Sequence, residues 1–413
     1  MRDTAVIVVI AFGAALAWAG ENWPQFRGPD ANGYFDAAEV PLTWSETKNV
    51  AWKTAIHGRG WSSPVIWGDQ VWMTTATDKG HEMFAVCVHR DTGKILHDVK
   101  LWDVEKPEKI NPLNSYASPT PVVEPGRVYV TFGTYGTACL ATDTLKVLWT
   151  RRDLRCDHSM GPGSSPVLIG RLLILTFDGM DVQFVIALDK TTGRTLWKTN
   201  RSVDFTGIDV ESRKAFCTPT LIEVGGRREL ITAGAQAAYG YDPETLREMW
   251  RVRYRGGYSN VARPTLAEGL LLINTGFDTA RLLAVRPGGT GDVTATHVAW
   301  ELTHEVPLKT SPAVVDGLVY LITDTGILTC LEAKTSQRVW RERIGGSYSA
   351  SPVIAGRRIY FFDDKSTTTV IEPGRQYKVL GVNKLDGGCM ASPALVGKAI
   401  FLRTKTHLYR IEE

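Results

Sequence analysis

The side chains of this 413-residue chain that could do chemistry fall into two sets. The first lies just ahead of a recurring Ser-Pro step. It comprises Arg59 and Trp61, Asn114 and Tyr116, His158 and Met160, Lys214 and Phe216, Tyr258 and Asn260, then Lys309, Tyr348 and Met390. An aromatic set with basic members suits a flat or anionic ligand, or a peptide. The second set is acidic: Asp78, Asp178, Asp181, Asp278, Asp324, Asp363 and Asp364. Two readings stand open for it. Asp178 with Asp181 could offer oxygen ligands to a cation such as calcium, or aspartates in such turns cap backbone N–H groups. No GxSxG, Walker loop, HExxH or CxxCH is present, and the histidines form no metal-ligand pair. No residue is therefore assigned a catalytic or metal-binding role.

The elements that would position these residues are repeats. Ser63-Pro64, Ser118-Pro119, Ser165-Pro166, Thr218-Pro219, Arg263-Pro264, Ser311-Pro312, Ser351-Pro352 and Ser392-Pro393 recur at a mean period of about 47 residues. Each step leads into a short apolar strand, a turn that commonly carries glycine, and a second β-rich strand. Further on, an acidic residue and a Thr-Gly or equivalent turn precede a tryptophan: Asp143 before Trp149, Asp189 before Trp197, Asp242 before Trp250, Glu332 before Trp340, with Trp300 closing a looser unit. Four short strands at this period predict the blade of an all-β, eight-bladed β-propeller rather than a helical solenoid. No helix is expected after the first 19 residues.

The last repeat offers only three strands, and Val50-Ala51-Trp52-Lys53 supplies a lone fourth-strand pattern ahead of the first Ser-Pro. The N-terminal strand is therefore expected to complete the C-terminal blade and leave no open edge in the ring. His97 in the first blade, and Leu380 or a neighbour in the seventh, stand where tryptophan is expected. In such a ring the loop entering each blade and the loop between its second and third strands open on one face. That geometry places the first set of residues at the channel mouth.

Lys plus Arg number 47 and Asp plus Glu 44, with no basic block, which argues against a dedicated nucleic-acid binder. Ala5 to Ala19 is apolar or small, and Ala17-Trp18-Ala19 has small residues where a signal peptidase reads. This predicts a secretory signal over residues 1–19, an arm over 20–49 and the propeller over 50–413. The apolar run is short against the roughly 20 residues of a bilayer span, so no membrane span is expected after cleavage. Six cysteines in an exported chain permit disulfides without fixing a pairing. Cys87, Cys139 and Cys330 share one position in three repeats and read as buried free thiols. The alternation of Arg251, Arg253 and Arg255 reads as a solvated strand face.

The acidic residue, turn, Thr-Gly and tryptophan together resemble the docking motif of pyrroloquinoline-quinone (PQQ) repeat propellers. This superfamily includes quinoprotein alcohol dehydrogenases and the BamB-like propeller of the outer-membrane assembly complex. The resemblance covers residues 50–413 and implies that Trp52, Trp149, Trp197, Trp250, Trp300 and Trp340 pack between neighbouring blades. Trp23-Pro24-Gln25-Phe26-Arg27-Gly28-Pro29 with Pro41-Leu42-Thr43-Trp44 resembles the arm of exported PQQ-repeat proteins of planctomycete-like bacteria.

The expected function is that of an exported, periplasmic or extracellular, monomeric propeller without catalysis. It would bind a cell-envelope protein, peptide or glycan at the channel mouth and carry no cofactor. The alternative is a dehydrogenase of alcohols or sugars holding PQQ and calcium. There Trp61 or Tyr116 would stack on the cofactor and Lys309 or Arg59 would pair with its carboxylates. The vicinal cysteine pair of the family's alcohol dehydrogenases has no counterpart in this sequence.

Overall fold

The computed structural model describes residues 21–36 and 40–413. The signal reading of residues 1–19 lies outside the described residues. The chain is nearly all β and forms an eight-bladed propeller of antiparallel blades. Blade 3 shows the plan: Val167–Ile169, Leu172–Asp178, Gln183–Asp189 and Thr195–Asn200, hydrogen-bonded in that order. The middle strands are apolar on both faces because each blade is covered by the next, and the outer strand alternates towards solvent. The N-terminal strand Val50–Ala55 pairs with His407–Ile411 and completes blade 8. A one-turn helix, Thr294–His297, and two 3-10 segments are the helical structure among the described residues, a small departure from the all-strand expectation.

The Ser-Pro step has a physical purpose. The backbone N–H of the residue before proline in one blade donates to the hydroxyl of its counterpart in the next. The links run Ser63 to Thr120, Thr120 to Ser165, Ser165 to Thr218, Arg263 to Ser311, Ser311 to Ser351 and Ser351 to Ser392, at 2.8–3.0 Å. This corrects the reading of blade 2, where the repeat is Thr120-Pro121 and not Ser118-Pro119. The first strand begins at Val122, and Thr120 makes the inter-blade bonds.

Two of the eight joints lack this link among the described residues, and a buried arginine bridges each. Between blades 4 and 5, Arg263 Nε donates to Pro219 O at 3.0 Å and Thr220 Oγ1 at 3.1 Å. Between blades 8 and 1, Arg403 Nη1 donates to Ser62 Oγ at 2.6 Å and Thr74 O at 2.7 Å. Burial pulls both guanidiniums below their usual range.

A β-bulge precedes the tryptophan position of every fourth strand. The bulge aims the ring at the next blade. Four indoles then donate to a backbone carbonyl there at 3.0 Å: Trp52 to Arg90, Trp149 to Lys190, Trp300 to Ala333 and Trp340 to Gly374. Gly93 (φ 70°) and Gly193 (φ 71°) stand beneath two of these rings, and a Cβ on either would come within 2.7 Å of the indole. The seat needs both a left-handed residue and no side chain.

Other blades depart from the plan. In blade 2 the turn residue is Leu145, and the preceding blade offers His97, which stacks instead on Trp72. In blade 4 it is Leu246, fully buried, and Trp197 of the preceding blade is 42% exposed. Trp197 is thus not the inter-blade anchor expected, because Leu246 fills its seat. Trp250 is fully buried but donates to Glu229 of its own blade at 2.8 Å. In blade 7 the register puts Gly381, next to Leu380, at the tryptophan position, and Leu42 of the arm lies over it.

All six cysteines are buried and free. Cys87, Cys139 and Cys330 occupy one equivalent place on third strands, and burial pushes their thiols up.

Candidate functional site

The arm does more than coat the blades. Trp23 pairs with Ile66 in the first strand of blade 1, and Pro24 O accepts from Val123 in that of blade 2. Phe26 O accepts from Arg263 of blade 5. Arg27 donates to Pro312 O at 3.0 Å and Pro352 O at 3.2 Å, at the entries to blades 6 and 7. Tyr34–Phe35 then pairs with the first strand of blade 7. First strands line the channel, so a segment bonded to the first strands or strand entries of five blades crosses its axis. The turns that fit it there are tight: Arg27 (φ 65°), Gly28 (φ 80°), Ala31 (φ 60°) and Gly33 (φ 76°). A Cβ on Gly33 would stand 3.0 Å from both Pro352 O and the Arg27 guanidinium.

Phe26 forms the floor of a cup of about 550 Å³ that opens on the loop face. One position of the repeat, two residues before each ring residue, supplies the wall from every blade: Trp61, Ser118, Gly163, Phe216, Val261, Lys309, Ser349 and Met390. Longer loops add Asn111, Leu113, Asn114, Met160, Glu211, Lys214, Tyr258 and Phe277. The wall is mainly apolar and aromatic. Tyr258 and Phe277 meet edge to face at 6.1 Å, and Lys214 lies 5.9 Å from the Tyr258 ring. Its two lysines are each neutralised, Lys214 by Glu211 and Lys309 by Asp324, the latter at 2.8 Å. Leu113 and Phe277 stand at the rim, 68% and 53% exposed.

A second cleft of about 420 Å³ adjoins the cup and shares Trp61, Leu113 and Met390 with it. It holds Arg59 and Lys405 beside Asp78 and Asp364. Arg59 lies 5.1 Å over the Trp61 ring and bonds Pro112 O, while the Trp61 indole donates to Leu113 O at 3.0 Å.

Of the mouth residues read from the sequence, Trp61, Asn114, Met160, Lys214, Phe216, Tyr258, Lys309 and Met390 come together in the cup, and Arg59 in the cleft beside it. Four do not line either. Tyr116 is buried against Tyr135 and donates to Glu108 O at 2.6 Å. Asn260 is buried and donates to Gly234 O at 2.6 Å and Tyr254 Oη at 2.7 Å. Tyr348 is buried in the core between blades 6 and 7. His158 is buried beside Phe177, and its Nε2 accepts the Thr134 N–H at 3.1 Å. Each is taken up by packing or backbone bonds and has no face left for a ligand. The sequence reading missed Phe26, Asn111, Leu113 and Phe277. The alternation two residues ahead of Thr120, Ser165, Arg263 and Ser351 would have found the small wall residues.

Burial pulls the His158 imidazole down to about 4. An unfolded histidine protonates near 6.5, so between pH 6.5 and 4 the unfolded chain takes up a proton that the folded one refuses. Stability is therefore full above pH 6.5 and falls below it, by about 3 kcal/mol at the acid end. His158→Gln keeps an acceptor for Thr134 and should flatten this limb when urea unfolding is compared at about pH 4.5 and pH 7. An unchanged slope would place the titrating group elsewhere.

The aspartates are mostly occupied. Both oxygens of Asp178 accept from buried Arg201, at 2.8 and 2.7 Å, and Asp181 caps the Asp157 N–H at 2.7 Å. Asp363 caps the N–H groups of Lys365 and Thr367. Asp278 lies on an exposed two-residue strand. No three side chains of metal-ligating type come together among the described residues. With the cup's lysines already paired, its residues do not fit a quinone bearing several carboxylates and held by calcium.

A family model described as outer membrane protein assembly factor BamB matches residues 42–214 and 181–412. No curated protein matches the chain in sequence. Among solved structures, the quinohemoprotein alcohol dehydrogenase of Comamonas testosteroni superposes with a TM-score of 0.68 at 11% identity, covering 96% of this chain and 81% of that one. BamB from Moraxella catarrhalis superposes at 0.58 and 12% identity, covering 87% and 99%. A europium-containing methanol dehydrogenase superposes at 0.66 and 12%, covering 93% and 89%. At such identities the likeness shows the fold alone. The family match is of another kind, since its two stretches take in every blade of the ring: the chain belongs to the BamB family of PQQ-like β-propellers.

Proposed function

We propose that this chain is an exported, non-catalytic propeller of the cell envelope whose cup holds a segment of a partner protein or peptide. The observation that carries this reading is the cup itself. It is closed below by Phe26, walled by aromatic and apolar side chains, and rimmed by Leu113 and Phe277, while its lysines are already paired with acids. Such a wall favours apolar side chains with few fixed polar contacts, as peptide-binding pockets do. The BamB match adds that a relative of this family is named for assembling outer membrane proteins. A glycan remains within reach of the same aromatic wall.

The test is selection of a displayed random-peptide library on the full chain, followed by titration of the recovered peptides. Affinity should fall about tenfold or more in Phe216→Ala, as expected for a central aromatic anchor. Peptides that bind Phe216→Ala and Met160→Ala as well as the parent would overturn the reading. So would a rise in melting temperature with PQQ and calcium at saturation, which would favour the dehydrogenase alternative.

A further inference from the structure

The outer strands of blades 3 and 4 occupy equivalent places, and their outer edges are treated differently. In blade 4 the strand Glu248–Arg253 is flanked by the short strand Gly291–Asp292, supplied by the loop between the third and fourth strands of blade 5. The two run parallel, with Trp250 opposite Gly291 and Arg251 opposite Asp292. Asp292 bonds Arg253 at 2.7 Å and lies 3.9 Å from Arg251, and the Val293 N–H donates to Arg251 O at 2.9 Å. The loop thus adds a strand to the sheet edge, with a left-handed glycine (φ 72°) in register with Trp250 and an acid bonded to Arg253.

Blade 3 has the same edge without the added strand. Beyond Thr195–Asn200 no strand lies among the described residues, and Trp197, at the place of Trp250, is 42% exposed. Leu246 bars the indole from the inter-blade seat and leaves it open to packing from outside the ring. Lys198 stands at the place of Arg251. Arg194 and Lys198 are exposed, and residues 190–200 contain no acid. An unpaired row of backbone donors and acceptors beside an exposed tryptophan is a template for strand addition.

We infer that this edge of blade 3 is a docking strand for an extended segment of a partner protein that carries a glycine followed by an acid, added in parallel as Gly291–Asp292 is added to blade 4. Glycine takes the left-handed turn that Gly291 (φ 72°) takes beside blade 4, and the acid meets Lys198. The site is on the ring's outer rim, away from the cup, and does not depend on what the cup holds.

The probe is a fluorescent peptide with the sequence of residues 286–295, titrated into the full chain by anisotropy. Saturable binding with a Kd below about 1 mM is expected, weakened about tenfold or more by Lys198→Glu and by a peptide with lysine in place of Asp292. Combining the two reversals should restore it. Trp197→Ala should weaken binding with the melting temperature unchanged. Absence of saturable binding up to about 1 mM, or binding indifferent to Lys198→Glu, overturns the inference. Binding lost in Arg253→Glu and kept in Lys198→Glu would mean that the peptide invades the seat on blade 4, and also overturns it. A dimer in sedimentation that Lys198→Glu dissolves would make the occupant a second copy and overturn the partner assignment.

Discussion

Replacing Arg201 with methionine should lower the unfolding free energy by about 3–5 kcal/mol, the largest effect expected of a single substitution. Arg201 and Asp178 are both buried and meet through two parallel hydrogen bonds. The guanidinium also donates to Tyr241 Oη at 3.2 Å and lies 4.9 Å from the Tyr239 ring. Asp178 holds it charged well above the usual arginine range. Without the arginine, the carboxylate is left buried and unpaired, or must take up a proton on folding. The double variant Arg201→Met with Asp178→Leu removes both charges and should recover much of the loss. Urea midpoints of the parent, Arg201→Met, Asp178→Leu and the double variant measure this. Equal destabilisation in the single and double variants would show that the pair is not the source.

Gly193→Leu comes second, at about 2–4 kcal/mol, and its structural outcome is readable from the protein itself. Gly193 has φ 71°, and its missing Cβ leaves the Trp149 ring its seat. The chain already carries leucine at this place in two blades: opposite His97 in one, and opposite the exposed Trp197 in the other. The substitution should therefore turn Trp149 out to solvent and break its bond to Lys190 O. The left-handed conformation costs about 1–2 kcal/mol, and exposing part of the indole adds a similar amount. Iodide quenching of one additional tryptophan, together with a lower urea midpoint, is the expected signature. A quenching profile equal to the parent's would mean that the blades can separate enough to hold both side chains.

The ring, its blade count and its closure by Val50–Ala55 were legible because each rests on local grammar that repeats. A hydroxyl before proline, a turn between two short apolar strands, and a tryptophan after a bulge all appear in the residue order. Blade 2 was misframed because Ser118-Pro119-Thr120-Pro121 offers two prolines, and only the start of the strand at Val122 separates them. The seat of Trp197 was not legible, because it is decided by a residue in another blade, Leu246. Trp250 packs against blade 5, and what was not legible is its bond to Glu229 of its own blade.

The candidate site was half legible for the same reason. Phe216, Lys309 and Met390 obey the repeat's alternation and face the cup; further from the ring residue the loops keep no common register, so Asn114, Met160, Lys214 and Tyr258 reach the cup while Tyr116, His158, Asn260 and Tyr348 turn into the blades. The arm's course was hidden because it has no repeat to compare with. Arg27 and Gly28 signal a tight turn, but not that the turn sits across the channel.

The six hydroxyl links and the two arginines also divide the molecule in a way that the blade count conceals. Counted by joints, the ring is two arcs of four blades, 1 to 4 and 5 to 8, each stitched throughout by neutral bonds. The stitches between the arcs, Arg263 and Arg403, lie diametrically opposite. A serine hydroxyl holds its neighbour at one fixed contact, while an arginine on a long stem can follow a change in spacing and keep its carbonyls. Among the blade-to-blade joints, that one diameter is therefore where a change in spacing costs least, and the arm, bonded to blades of both arcs, is the strap across it.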